Sequence, residues 1–182
     1  SRGLGDVYKR QALKWVASGM SIGLLIFALP SLYGEGYGVI ARILDGHGIE
    51  ALTYGSIIGM IGHMSPLATL LLLSGAAALV KSIASASTND GGGVAGDFAP
   101  TIFAGAVVGF FFAAVATMAT HADVSLPALV LMAMGGVMAG AVRAPLMAMF
   151  IVAEMTGAYS LLLPVALTAT LSYLIVKLAS LR

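Results

Sequence analysis

Charged side chains are nearly absent from the second half of the chain, and this constrains the fold more than any other feature. Between Asp97 and Lys177 the charged residues are Asp123, Arg143 and Glu154. The uncharged stretches between them approach the length that crosses the hydrocarbon of a bilayer. The chain is 59% hydrophobic and 9% charged, which is not the composition of a soluble globular domain. We therefore predict an all-α, polytopic membrane protein.

The charge balance and the motif content narrow the classes of function. The formal net charge is +1 and the basic residues are mostly scattered, so we predict no nucleic-acid partner. The absence of cysteine excludes a disulfide framework and thiolate metal sites. The motifs H-E-x-x-H and G-x-S-x-G do not occur. We predict that the chain is not an enzyme and has no catalytic residue, metal site or cofactor.

Residues 1–11, SRGLGDVYKRQ, differ from the rest of the chain because they are polar, charged and interrupted by glycine. They resemble the adapter-derived leaders of translated environmental fragments. We interpret them as a non-native leader or a loop, and residues 12–182 as one membrane domain.

Proline and glycine divide the membrane domain into helices of uneven length. Prolines near the starts of the last three helices suit a first turn, whose N–H groups lack intrahelical partners. Lys81 is placed near the end of its helix, where a cation suits the dipole, with SASTND following as a loop. The predicted helices span residues 12–29, 39–44, 67–84, 98–119, 126–141, 143–156 and 159–179.

Several of these helices are too short to cross a bilayer alone. Broken helices within a membrane are tolerated only where the loose backbone is buried in protein or lines a cavity, which is typical of transporters and channels. Pairs of small residues at a spacing of four predict close helix contacts. These pairs are Gly19/Gly23, Gly105/Gly109 and Gly136/Gly140.

A glycine-rich loop precedes the helix predicted from Phe98. Gly91, Gly93 and Gly96 satisfy the dinucleotide pattern G-x-G-x-x-G. That fingerprint requires a preceding strand within a βαβ unit, whereas the preceding segment is rich in leucine and alanine and the following helix is apolar. No lysine makes the loop a Walker motif. We reject a nucleotide site here.

The helix start itself predicts an anion site. The first N–H groups of a helix lack internal acceptors and lie at the positive end of its dipole. With Asp97 as the N-cap, its carboxylate accepts from Ala99 only, because Pro100 has no N–H. The amides of Asp97 and Phe98 are then left for water or an anion. We predict backbone anion binding at Gly96, Asp97, Phe98 and Ala99, with Pro100 completing the motif.

GDFAP at 96–100 resembles the G-x-F-x-P motif of the CLC family of chloride channels and chloride/proton exchangers, whose amides at this helix start coordinate the permeating anion. Two further segments, LPSLYGEGYGVI at 29–40 and VRAPLMAMFIVAEMTGAYSLLLP at 142–164, are similar to family segments in the same order. The resemblance covers nearly all of residues 12–181.

The resemblance implies that the chain is the C-terminal half of a CLC membrane domain, one of two inverted repeats. The family segments G-S-G-I-P and G-K/R-E-G-P, with the anion-binding serine and the gating glutamate, do not occur in this chain. The family tyrosine that closes the site lies beyond the last helix, so Tyr173, inside that helix, does not take its role.

The function that the resemblance implies is transport of chloride or a similar monovalent anion across the bilayer, as a channel or a chloride/proton exchanger. Helix dipoles attract the anion without any side-chain cation. The resemblance also implies a bacterial inner-membrane location and a homodimer through helices 143–156 and 159–179. Two alternatives stay open: a secondary transporter of a small organic anion, and a non-conducting structural membrane fragment.

Asp97 departs from the family, which commonly has an apolar residue there. Two like charges 4 Å apart repel by about 4 kcal/mol at an effective dielectric near 20, which weakens anion binding about a thousandfold. We expect the Asp97 side chain to turn away into the cap. A protonated carboxyl group or an altered ion preference are the alternatives.

Glu154 is the other acidic residue of interest, because intramembrane acids are functional candidates by default. Gly157 predicts a helix end near an aqueous boundary, so we favour a structural role for Glu154. Arg143 is not its partner, since the two lie about 16 Å apart along one helix. Asp123 and Ser125 precede Leu126 and Pro127 and are predicted to cap the helix that follows.

Overall fold

The computed structural model describes residues 2–54, 66–90, 96, 98–120 and 124–180. Regular structure in these residues is entirely helical, which confirms the predicted all-α class. Single 3-10 turns at Pro30–Leu32 and Tyr159–Leu161 precede longer segments. The α-helices are α1 Arg2–Ala28, α2 Tyr37–Leu44, α3 Gly48–Thr53, α4 Pro66–Asp90, α5 Phe98–Thr120, α6 Leu126–Val142, α7 Pro145–Thr156 and α8 Leu162–Ala179.

Helix α6 lies at the centre of the packing, because it contacts α5, α7 and α8. Helix α5 packs in addition against α4 and α2, and α4 packs against α1. The fully buried side chains Phe103, Met134 and Met138 fill the space where α5 and α6 meet. The start of α5 is therefore held by neighbours on several sides.

Two glycines bring the backbones of α5 and α6 together. A Cβ atom at Gly105 would lie 2.6 Å from the Met134 Cα atom, and one at Gly109 would lie 2.6 Å from the Val130 Cα atom. Only glycine allows this approach, which confirms the contact predicted for this pair.

The other small-residue pairs differ. A Cβ atom at Gly140 would meet the Ser172 Oγ atom of α8 at 2.8 Å, whereas one at Gly136 would have nothing closer than 3.9 Å. Gly19 and Gly23 face open space, with nothing within 4 Å among the described residues. The prediction is confirmed for α5 with α6 and, through Gly140, for α6 with α8, whereas for Gly19 and Gly23 of α1 it stays a prediction.

Helix α4 is longer than predicted, and this changes the position of Lys81. The helix continues through the serines and threonines after Ala84 as far as Asp90, and hydroxyl groups along this stretch of α4 donate to carbonyls one turn earlier, where they do not interrupt the backbone ladder. Ser82 donates to the Ala78 carbonyl at 3.0 Å and Thr88 to the Ala84 carbonyl at 2.9 Å. Lys81 therefore lies in the helix interior, and the prediction that it sits near the C-terminal dipole was wrong.

Arg143 does not begin a helix, contrary to the predicted range 143–156. It follows the end of α6 in a left-handed conformation, with φ of 60°, and α7 starts at Pro145. The residue before a proline is disfavoured in the helical region, and Ala144 adopts φ of −130° and ψ of 79°. This forces a break between Val142 and Pro145.

Residues 2–11 are helical and continue into α1, so the interpretation as a loop was wrong. Helical structure does not bear on their origin, and the non-native leader stays a prediction. Helix α1 ends at Ala28, ahead of Pro30, as the proline predicts.

Within the part of the chain that the structure describes, two helical segments are long and apolar enough to cross a membrane by length and composition, Phe98–Thr120 with 23 residues and Tyr159–Ala179 with 21. The apolar helices Lys14–Ala28, Leu126–Val142 and Pro145–Thr156 are shorter. This mixture of lengths confirms the prediction that several helices cannot span a bilayer alone.

Candidate functional site

The predicted anion site lies where α5 begins. Phe98 is the first helical residue, and Gly96 is exposed and non-helical. This confirms the predicted helix start. Asp97 lies outside the described residues, so its capping role and the orientation of its carboxylate stay predictions.

The first turn of α5 directs backbone N–H groups away from the helix. Pro100 contributes none, and the N–H groups of Phe98 and Ala99 have no acceptor within the helix. The Thr101 hydroxyl donates to the Phe98 carbonyl at 2.8 Å, and this hydrogen bond stabilises the first turn of the helix. The arrangement leaves donors at the positive end of a 23-residue helix.

These residues line a cleft of about 480 Å³, which we call the lysine cleft. Four parts of the chain meet there: α1, the turn before α2, α4 and the start of α5. The lining residues are Ile22, Ile26, Gly34, Glu35, Tyr37, Lys81, Ala84, Ser85, Thr88, Gly96, Phe98, Ala99 and Pro100. The described members of the predicted site, namely Gly96, Phe98, Ala99 and Pro100, therefore share one surface.

A second cleft, of about 760 Å³, lies against the same helix start, and we call it the asparagine cleft because Asn89 lines it. It is formed by α4, α5 and the end of α6. Ser85, Phe98 and Pro100 line both clefts. The first turn of α5 thus separates two openings, with the partly exposed Phe98 side chain between them.

Lys81 is the residue that the sequence reasoning missed. Its side chain is 6% exposed, its ammonium group donates to the Gly34 carbonyl, and the Nζ atom lies 5.4 Å from the centroid of the Phe103 ring. The sequence did contain a signal for Lys81: it is a lysine within a segment rich in leucine and alanine, and an intramembrane cation is a functional candidate by default. The signal was overlooked because the helix was predicted to end at residue 84, which placed Lys81 in its last turn.

The turn before α2 contacts α5 at Phe103, the residue whose ring also lies beside Lys81. Gly36 has φ of 89°, and a Cβ atom there would lie 2.5 Å from the Phe103 Cδ2 atom. Glycine is required on both counts, since the left-handed conformation and the close contact exclude a side chain. Lys81, Gly36 and Phe103 therefore fix the wall of the lysine cleft.

Glu154 and Arg143 line neither cleft. Glu154 is exposed in the last turn of α7, within hydrogen-bonding reach of the Tyr159 phenol. Gly157, with φ of 67°, ends α7 as predicted.

Ser125 stands at the predicted N-cap position of α6, but its side chain makes no capping hydrogen bond. A side-chain cap bonds the N–H of the second or third helical residue. Pro127, the second residue of α6, has no N–H to offer, which leaves the N–H of Ala128, and Ser125 does not bond it. The capping prediction for Ser125 was therefore right in position and wrong in the bond, and Asp123 lies outside the described residues.

The amino-acid sequence is similar to those of known proteins, and these similarities identify a family. The sequence profile described as "Voltage gated chloride channel" matches residues 3–177. The chain is 29% identical over 171 residues to the "H(+)/Cl(-) exchange transporter ClcA" of Vibrio campbellii, covering 93% of this chain and 32% of the relative. The ClcA of Vibrio cholerae, strain M66-2, is 29% identical over 162 residues, covering 88% and 30%. The "Voltage-gated ClC-type chloride channel ClcB" of Salmonella typhimurium is 28% identical over 145 residues, covering 79% and 30%.

The chain spans about a third of the length of the curated relatives that it matches. The profile match extends across nearly all of the chain, including the start of α5 and both clefts. Together with the two apolar spans, this match supports an integral membrane protein. The chain belongs to the voltage-gated chloride channel family.

Proposed function

We propose that the chain forms part of a transmembrane transporter of chloride or a similar monovalent anion, acting as a channel or a chloride/proton exchanger in a bacterial inner membrane. The observation that carries this proposal is the start of α5 between two clefts, with Gly96, Phe98 and Ala99 on the surface of the lysine cleft. Relatives named as a chloride channel and as exchange transporters support it.

The proposed chemistry is replacement of part of the anion's hydration shell by backbone N–H groups. In this proposal the amides of residues 96–99 lie at the positive end of α5 and together attract one negative charge. Partial charges hold an anion more weakly than a paired basic side chain would, which lets the ion leave again. An anion moving between the lysine cleft and the asparagine cleft passes Phe98, because Phe98 lines both.

Replacing one amide tests this chemistry directly. Phe98→Pro removes the N–H at the first helical position, where proline is well tolerated, and Phe98→Ala removes the same ring while keeping the amide. A hydrogen bond to a charged group contributes about 1.5 to 3 kcal/mol. We expect the proline variant to bind chloride at least about tenfold more weakly than the alanine variant.

The measurement is chloride binding by calorimetry, with efflux from proteoliposomes, on the full-length protein that carries this chain. Equal affinity of the two variants would refute a role for the Phe98 amide. Flux that is insensitive to chloride but competed by small carboxylates would favour the organic-anion transporter instead. An unmodified protein that neither binds nor moves anions would favour a structural fragment.

Asp97 is proposed to offer its backbone to the anion and to turn its carboxylate into the cap. In the same assay Asp97→Ile removes the charge and keeps the backbone amide. Little change in chloride affinity is expected. A large rise would mean that the carboxylate faces the anion, because relief of that repulsion corresponds to about a thousandfold in binding.

We also propose a homodimer through helices 143–156 and 159–179. Helices α7 and α8 expose large apolar side chains in this chain, including Leu163, Leu167 and Leu171 at a spacing of four residues. Such a face packs against another helix in lipid by close contact. Cysteine cross-linking at Leu167 between differently tagged copies should trap a dimer, whereas cross-linking at the exposed Met20 of α1 should not.

A further inference from the structure

Lys81 lies in an environment where a lysine is costly. It belongs to a helix of the apolar domain and is buried, with a relative exposure of 6%. Burial of a charge in such surroundings is unfavourable and is retained where the charge is used. The α4 segment around it is otherwise uncharged from Pro66 to Ser87.

The position of the ammonium group is fixed from two sides. It donates to the Gly34 carbonyl of the turn before α2, and it stands over the Phe103 ring of α5 at 5.4 Å from the ring centroid. Gly36 contacts the same ring, so the turn, α4 and α5 meet at one point. A charge held in this way keeps a constant distance from the start of α5.

That distance is short enough to matter for an anion. Phe103 follows Phe98 along α5, and five residues at 1.5 Å each place the two about 7.5 Å apart along the axis. Lys81 and the residues of the helix start line the same cleft. Glu35 also lines this cleft and interacts with Lys81 through its charge.

We propose that Lys81 is an electrostatic positioning residue for the anion: its fixed charge raises anion affinity at the start of α5, although it does not itself bind the ion. The inference rests on the proposed function and modifies the expectation that helix dipoles suffice. Two unit charges at roughly 10 Å and an effective dielectric near 20 interact strongly enough to change binding about tenfold.

A purely structural role for Lys81 makes a different prediction. The glutamine amide is a neutral donor that can still bond the Gly34 carbonyl. If the role of Lys81 is only to make this hydrogen bond, Lys81→Gln should leave anion affinity unchanged. An electrostatic role tolerates arginine, which keeps the charge, donates hydrogen bonds and stacks on aromatic rings. The two replacements therefore separate the hydrogen bond from the charge.

The test measures the dissociation constant for chloride by calorimetry on the full-length protein that carries this chain. Lys81→Gln should weaken binding about tenfold, and Lys81→Arg should stay within about threefold of the unmodified protein. Lys177→Gln is the matched control. Lys177 is also a lysine on an apolar helix, 5.7 Å from the Tyr173 ring centroid, but it lines neither cleft. Its replacement should leave chloride affinity unchanged.

A Lys81→Gln protein with unmodified affinity would overturn the proposal, and so would a Lys81→Arg protein as weak as the glutamine variant. Glu35→Gln provides an independent reading even where a Lys81 variant fails to fold, because Glu35 is exposed and its replacement leaves the packing intact. Removal of this negative charge should raise affinity by about twofold. Unchanged or reduced affinity would count against an electrostatic cleft. Absence of chloride binding by the unmodified protein would refute the proposed function instead.

Discussion

A methyl group added at Gly105 would test how closely α5 and α6 must approach. The new Cβ atom would lie 2.6 Å from the Met134 Cα atom and 2.9 Å from the Ala133 carbonyl oxygen. Both are backbone atoms, so no change of rotamer relieves the overlap. To reach the 3.4 Å at which ordinary contact begins, the helices must separate by about 0.8 Å.

The expected cost follows from two opposing effects. Overpacking of a close contact costs about 1 to 3 kcal/mol, and a clash with rigid backbone belongs at the upper end. Against this, the higher helix propensity of alanine stabilises a helix by about 1 kcal/mol relative to glycine. We expect Gly105→Ala to lower the free energy of unfolding by about 2 kcal/mol. Adding Gly109→Ala should cost less than the first change, because one separation of the helices relieves both contacts.

The assay is reversible unfolding of the purified protein in mixed micelles, titrated with dodecyl sulfate and followed by circular dichroism. Gly75→Ala on α4 is the matched control, because Gly75 is a helical glycine with nothing within 4 Å among the described residues. It should be neutral or stabilising by up to about 1 kcal/mol. A Gly105→Ala protein as stable as the unmodified one, or an equal loss in the control, would refute the reasoning.

Two further substitutions test the backbone around the clefts, in the same unfolding titration. Gly36→Ala should cost at least about 2 kcal/mol, because it adds a left-handed alanine and a 2.5 Å contact with Phe103. Gly34→Ala, with φ of 68° but open space around it, should cost only about 1 kcal/mol, and equal losses would contradict the contact. Arg143→Gly should stabilise the protein by about 0.5 to 1 kcal/mol, since glycine adopts φ of 60° without strain but loses more freedom on folding. A loss of stability there would show that the Arg143 side chain contributes more than its conformation costs.

Local chemistry explains which parts of the fold were predictable from the sequence. The start of α5 follows from Gly96 and Pro100, because glycine releases the backbone and proline suits a first turn. The end of α7 follows in the same way from Gly157. The contact of Gly105 with α6 was predictable from spacing, yet the same spacing in α1 has no close neighbour among the described residues. The spacing of small residues identifies the helix face that can approach another helix closely, but it does not say which helix packs against that face.

The unpredicted features depend on contacts between distant parts of the chain. The run of serine and threonine after Ala84 is typical of a loop, but the segment stays helical to Asp90, and the Thr88 hydroxyl group bonds the Ala84 carbonyl one turn earlier without ending the helix. The position of Lys81 beside Gly34 and Phe103 arises only when α4, the turn and α5 assemble. Ser125 is a further case: its cap position was predictable, but its side chain makes no capping bond, and Pro127 removes only one of the two N–H groups that a cap can bond.

The unequal burial of the two long apolar segments has a consequence for biogenesis. Within the described structure, 44% of the Phe98–Thr120 window is buried and only 11% of the Tyr159–Ala179 window. Both segments can partition into lipid from the translocon by their own hydrophobicity, with a mean hydropathy of 2.2 for the earlier and 1.9 for the later. The earlier one opens at a cleft shared with α1 and α4, and its leading end acquires its surroundings only when those helices dock. Insertion and maturation are then separate steps, and the surface around Phe98 is completed in the second.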